Sequence, residues 1–237
     1  MPSDKRLIAA VLRGGGIGYD TVRSLHSHGI ETYLLTPKRL WDGNYPGATI
    51  LQCPSHETPE GAQELITFLN TKIAPGRDVV LLPTSDDGAL FLARQRSRLE
   101  NRFLYLTCDA SLVEATDNKM LFYDLCQQHG VSYPKTWIIR NEPELKSVLA
   151  EAPARSIVKP FRSREWPESL GYKVTVAHSV GELQTLLHGA LSCGCETIVQ
   201  EMIPGGPETI VFMGGLYDQD SSPVKLYVGR KLLQHPL

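Results

Sequence analysis

The sequence predicts an α/β protein of two domains, a parallel-sheet domain over residues 1–115 followed by an α+β domain over residues 116–237. Three observations carry the prediction. Short apolar runs such as Leu7 to Leu12 and Ile30 to Leu35 alternate with helical stripes such as Ala62, Leu65, Ile66, Leu69 and Ile73, the order that lays parallel strands under covering helices. The helix and strand pattern changes character near Ala115. At 237 residues, 42% hydrophobic and 21% charged, the chain is long enough to bury two ordinary globular cores.

In the first domain, Lys5 to Leu12 reads as a buried parallel strand that feeds Arg13-Gly14-Gly15-Gly16-Ile17-Gly18 and a helix carrying Val22 and Leu25. A glycine-rich turn from strand to helix lets backbone N–H groups approach an anion. The dinucleotide fingerprint fails at its third position, which falls on Tyr19, and the strand ending at Leu35 is followed by Thr36-Pro37-Lys38-Arg39 where a ribose-binding acid belongs. Gly15 and Gly16 instead suit close packing or a carboxylate substrate. Thr58-Pro59 opens the next helix with a cap and a proline in the first turn. The strand Asp78 to Leu82 ends in Pro83-Thr84-Ser85-Asp86-Asp87, where Thr84, Ser85 and Asp86 are either a substrate rim beyond a strand end or a helix N-cap. Arg102 to Thr107 supplies a further strand, and Arg94, Arg96, Arg98 and Arg102 read as the solvated face of a helix.

In the second domain, Thr116-Asp117-Asn118-Lys119 opens a helix that ends at Gly130 and leads through Val131-Ser132-Tyr133-Pro134-Lys135-Thr136 into a strand reaching Ile139. Asn141 with Glu144, and Ser179 with Glu182, have the spacing of capping boxes. Between those helices, Arg155 to Pro160 forms a strand, Arg162 to Gly171 a polar loop, and Tyr172 to Val176 a return strand. Glu196 to Gly205 is another strand, followed by a hairpin-like return ending at Arg230-Lys231. Lys159 shares a strand face with Ile157, and Glu201 one with Val199 and Thr197, so both strands carry charge where packing alone would not ask for it.

The order Asp-x-Lys, helix, Gly-x-x-x-Pro-x-Thr, then a strand lysine and a Gln-Glu-x-Ile-Pro-Gly hinge about forty residues later, resembles the nucleotide-binding half of ATP-grasp ligases. The match runs from about Thr116 to Gly205. The resemblance implies a pre-ATP-grasp, Rossmann-like domain in front and an incomplete ATP-grasp α+β domain behind it. It implies an ATP-dependent ligase that joins a small carboxylate to an amine through an acyl phosphate. Lys119, Lys159 and Lys173 would then neutralise phosphate charge. The Glu201 carbonyl and the Ile203 N–H would meet the adenine edge, with Met202 and Val158 as walls and Gln200 also in the ATP site, and Glu208 would bond the ribose. The family's Mg2+ ligands fall on later strands, so they are expected beyond Leu237 with none within this chain, and the sequence reads as shortened.

Other classes fare less well. A net charge of −2 argues against nucleic acid or a membrane surface as partner. The longest N-terminal apolar run is too short for a signal peptide or a membrane span. Five scattered cysteines argue for reduced thiols in a cytoplasmic protein. Two alternatives stay open beside the ligase: a non-catalytic ATP-binding module, and an NAD(P)-binding oxidoreductase resting on the glycines near Gly14. A homodimer is compatible with the sequence.

Overall fold

The structure is a computed structural model that describes residues 7–13, 15–37, 45, 47–161, 170–171 and 174–232. The chain forms two compact units, Met1–Gly130 and Val131–Leu237.

The first unit holds a parallel sheet in the order β3-β2-β1-β4-β5. Its strands are β1 (Ile8–Leu12), β2 (Glu31–Thr36), β3 (Ala48–Gln52), β4 (Val79–Pro83) and β5 (Phe103–Leu104). All five residues of β1 are buried, because helices cover both faces of this central strand. Ile8, Ala10 and Leu12 pack with Leu65, Leu69, Phe91 and Leu92, which come from α2 (Pro59–Lys72) and α3 (Asp86–Arg94). Val11 faces the other way, onto Val22 of α1 (Gly16–Ser27) and Leu34. The Thr58 hydroxyl caps α2 by accepting from the Gly61 N–H at 3.1 Å, and the Ser85 hydroxyl caps α3 by accepting from the Gly88 N–H at 3.2 Å.

Three features of this unit depart from the sequence reading. Strand β3 has no counterpart in it: an edge strand whose residues are all partly exposed gives no apolar run to detect. Helix α4 (Ala110–Asp117) buries no residue and has no side-chain cap, so it too lacks a signal. The ladder of β5 covers only two of the six residues expected as strand. Helix α5 (Lys119–Gln128) follows, capped by Asn118, and both α4 and α5 lie in the first unit. The expected boundary at residue 115 thus falls within α4.

Arg102 is a correction. Its side chain is only 12% exposed, and its guanidinium donates to the carbonyls of Leu69, Asn70, Ile73, Ala74 and Arg77. It closes the C-terminal end of α2 and the turn after it, where carbonyl groups lack helical partners. Arg94 and Arg98 remain exposed, as expected.

The second unit has an antiparallel sheet in the order β6-β9-β7-β8: β6 (Thr136–Ile139), β7 (Ser156–Pro160), β8 (Thr175–Ala177) and β9 (Thr197–Glu201). Helices α6 (Glu142–Glu151) and α7 (Val180–Ser192) cover one face, burying Val158 and Val199 against Leu145, Val148, Leu183 and Leu187. Both expected caps form: Glu144 N–H donates to Asn141 and Glu182 N–H to Ser179, while the Glu144 and Glu182 carboxylates reach one residue past the cap and accept from the N–H of Arg140 and His178, a variant of the capping box. Strands β10 (Val211–Tyr217) and β11 (Pro223–Arg230) form a two-stranded antiparallel hairpin. Among the described residues no helix is long and apolar enough to cross a membrane.

Candidate functional site

The face of the second sheet turned away from α6 and α7 carries the polar residues. Thr136 lies opposite Gln200 across β6 and β9, and Gln200 opposite Ile157 across β9 and β7. Two residues along come Ile138, Ile198 and Lys159, which by alternation share that face. Ile198 and Gln200 are buried, while Ile138, Ile157 and Lys159 are half-buried.

A directed chain of hydrogen bonds crosses this face. The Thr136 hydroxyl donates to the Pro134 carbonyl at 2.7 Å and accepts from Gln200 Nε2 at 2.8 Å. Gln200 Oε1 then accepts from Lys159 Nζ at 2.8 Å. Because the hydroxyl proton is committed to Pro134, the amide must turn its NH2 to Thr136 and its oxygen to Lys159. The ammonium is thereby held at a set position on an apolar surface, which is what recognition of an anionic ligand needs.

Glu201 is placed differently. It sits on the helix-covered side, opposite Ser156, and its carboxylate accepts from the Lys135 N–H at 2.7 Å while its own N–H donates to the Lys135 carbonyl at 2.9 Å. The side chain therefore fastens β9 to the residue preceding β6. Val158 cannot wall a ligand slot, being fully buried beneath the helices; Ile157 and Ile198 occupy the face expected of it. Lys159 and Val158 are neighbours on one strand and necessarily point to opposite faces. Met202 is half-buried and Ile203 is exposed just beyond β9. Glu208 is exposed on a single 3-10 turn (Pro207–Thr209), its carboxylate lying against Gly206. Lys173 lies outside the described residues, as does most of the polar loop before it. Lys119 is the first residue of α5, in the first unit.

In the first unit, the sheet order reverses direction between β1 and β4, the place where open α/β sheets bind ligands beyond their strand ends. Gly15 lies there at φ 95°, at the N-terminus of α1, and its N–H donates to the Tyr45 hydroxyl at 3.0 Å. Gly16 begins the helix. Thr84 Oγ1 donates to the carbonyls of Leu12 at 2.9 Å and Arg13 at 2.7 Å, so it fastens the end of β4 to the turn after β1. Ser85 is the cap of α3 and Asp86 its exposed first residue. Gly14 lies outside the described residues. Sequence reasoning missed Arg13, whose backbone adopts φ 79° and whose guanidinium pairs with Asp87 at 3.4 Å; a positive φ at a residue other than glycine leaves no mark in the sequence.

Among the described residues, no three His, Cys, Asp or Glu side chains converge as a metal site would require. None of the five cysteines is joined in a disulfide.

No family model matches the chain. It is 28% identical over 166 residues to a D-aspartate ligase of Enterococcus faecium (strain Aus0004), a match spanning 66% of this chain and 39% of that protein. Among solved structures it superposes on an ADP complex of purK, N5-carboxyaminoimidazole ribonucleotide synthetase, with a TM-score of 0.72 at 16% identity, over 98% of this chain and 56% of that one. It superposes on L-amino acid ligase from Bacillus licheniformis with a TM-score of 0.65 at 14% identity, over 96% of this chain and 51% of that one. The chain thus spans between 39% and 56% of the length of these three proteins. Over that span it has the fold of the ATP-grasp ligases and is related in sequence to a D-aspartate ligase.

Proposed function

We propose that this chain carries the nucleotide-binding part of an ATP-dependent ligase that joins a small carboxylate to an amine. The observation that carries this reading is the Thr136, Gln200, Lys159 chain on an apolar sheet face. Ile157 and Ile198 offer a flat surface for an adenine ring, and the backbone beyond β9, at Glu201 to Ile203, would supply the hydrogen bonds at its edge. Lys159 would meet the phosphates, with Lys119 and Lys173 adding positive charge and Glu208 meeting the ribose. The relatives support the substrate class, since one is a ligase of D-aspartate and another a ligase of L-amino acids.

In such a ligase a substrate carboxylate oxygen attacks the γ-phosphorus, ADP leaves, and the amine displaces phosphate from the acyl carbon. The protein's share is positioning and charge neutralisation. Mg2+ would enter as the Mg-ATP complex. Among the described residues no three His, Cys, Asp or Glu side chains converge to hold it. Free thiols fit a cytoplasmic setting.

The test is calorimetric titration of the chain with Mg-ATP and, separately, with NAD, repeated on Lys159→Ala. Losing a charge-assisted contact should weaken ATP binding by about tenfold or more. NAD binding without ATP binding would sink the reading in favour of a dinucleotide protein. ATP binding unchanged in the variant would remove Lys159 from the site.

A further inference from the structure

Gln200 stands in the expected ATP site, yet its surroundings leave it little to offer a ligand. It is only 6% exposed, and each end of its amide is already engaged: Nε2 donates to the Thr136 hydroxyl and Oε1 accepts from Lys159 Nζ, both at 2.8 Å. We propose that Gln200 and Thr136 are positioning residues, which touch no part of the nucleotide and act on its phosphates through the Lys159 ammonium. The proposal rests on the nucleotide-binding reading above and deepens it.

Register is the first argument. Lys159 lies opposite Ile198 and Gln200 opposite Ile157, so ammonium and amide meet along a diagonal between β7 and β9. Diagonal neighbours on one sheet face stand roughly 7–8 Å apart, within reach of long side chains. Thr136 lies directly opposite Gln200 on the other side. The pairing of β9 with β6 is secured next to these residues, where the Glu201 main chain and carboxylate both bond Lys135.

Direction is the second. Every donor points the same way, from Lys159 through Gln200 and Thr136 to the Pro134 carbonyl, which accepts from Thr136 at 2.7 Å. Hydrogen bonds arranged head to tail polarise one another, which strengthens the amide oxygen as an acceptor for the ammonium. Turning the amide over would set its NH2 against the ammonium and its oxygen against a hydroxyl whose proton is committed to Pro134. The Thr136 hydroxyl therefore fixes the amide, although it stands two hydrogen bonds away from the ammonium. Cost is the third argument. Burying an amide beside Ile157 and Ile198 costs free energy that an apolar side chain would not, so packing alone does not account for Gln200.

The test compares Mg-ATP with adenosine, each titrated calorimetrically into the full chain and its variants. Thr136→Val keeps the branched shape and strand preference of threonine without the hydroxyl. Gln200→Met keeps the length on an apolar face and leaves no amide stranded, so lost binding is not lost folding. Both should weaken Mg-ATP about tenfold and leave adenosine within about twofold, and Thr136→Ser should restore Mg-ATP binding. In a Lys159→Ala background, Thr136→Val should weaken Mg-ATP by less than about twofold more, because the group through which it acts is gone. Without nucleotide, NMR order parameters of the Lys159 ε-methylene should fall in Thr136→Val and Gln200→Met and recover in Thr136→Ser. Equal losses of adenosine and Mg-ATP would make Gln200 a contact to the base and overturn the proposal. Additive losses in the double variant, or a Lys159 as ordered in both variants as in the parent, would overturn it too. If the folded parent binds no Mg-ATP, the nucleotide reading fails, and the order of Lys159 alone decides whether Thr136 and Gln200 position the ammonium.

Discussion

Arg102 and Lys159 are both cations set among half-buried groups, and their surroundings decide what each does. Arg102 spends its donors on five main-chain carbonyls at the end of α2, so its role is structural. Arg102→Met keeps much of the aliphatic bulk but strands those carbonyls. It is expected to lower unfolding free energy by about 2 kcal/mol, read from urea denaturation. Cys53 gives a second prediction at this scale. Burial raises its thiol from 9.0 to about 11, so the folded state holds the proton more tightly than the unfolded chain does. Stability from this group is complete below about pH 9 and is lost as pH rises towards 11, about 2–3 kcal/mol over the window. Burial also raises Tyr33 and Tyr105 above 10.0, so they act in the same direction and their effect overlaps the upper part of this window. Comparing urea midpoints of the parent and Cys53→Val at pH 8 and at pH 11 isolates the thiol: the difference should shift in the variant's favour on going alkaline. Lys159 was legible in the sequence because an ammonium on an apolar strand demands an explanation. Thr136 was visible only as the end of the Gly-x-x-x-Pro-x-Thr motif; its bond to Gln200 was not, since a hydroxyl in a strand is unremarkable until its partners are seen.

At the scale of elements, legibility followed burial and capping. Helices α2, α6 and α7 announce themselves through a capping side chain and an apolar stripe, and all three form where that reading placed them. Strand β3 and helix α4 lie at an edge or on the surface, so their residues answer to main-chain hydrogen bonding, which no side-chain pattern records. The turn from β1 to α1 shows a third case. Its glycines were visible, but which of them matters for space was not. Gly15 and Gly16 have open space where a Cβ would go, whereas Gly18 has the Arg13 carbonyl. Gly18→Ala therefore sets a gain in helix propensity of about 1 kcal/mol against a steric clash of about 1–3 kcal/mol with main chain that three hydrogen-bonded strands hold in place. The clash should win. Urea denaturation should show net destabilisation of about 1 kcal/mol, and a stabilised variant would mean that the Arg13 turn can yield.

At the scale of the molecule, the sequence showed a change of pattern near Ala115 and a hairpin-like return ending at Arg230-Lys231, but not which faces of the β10 and β11 hairpin are covered. Its two faces differ. On one, Phe212 and Tyr227 meet edge to face at 6.2 Å and lie over Gly229 and Gly214, so glycine and ring fill one another's space across the strands. On the other, Val211, Met213, Leu226 and Val228 are all exposed, Val228 at 69%. A two-stranded ribbon with a bare apolar face and unpaired edges is marginal alone and prone to pair with another strand or surface. The chain is accordingly expected to associate with rising concentration, as light scattering behind size exclusion would record. Met213→Lys with Val228→Lys places two like charges directly opposite each other on that face, a pairing that disfavours association and leaves the ring-covered face intact. Loss of the associated species with an unchanged Mg-ATP titration would assign the contact to the hairpin. Association that survives both lysines would place it elsewhere, because no second copy could cover that face without burying an ammonium.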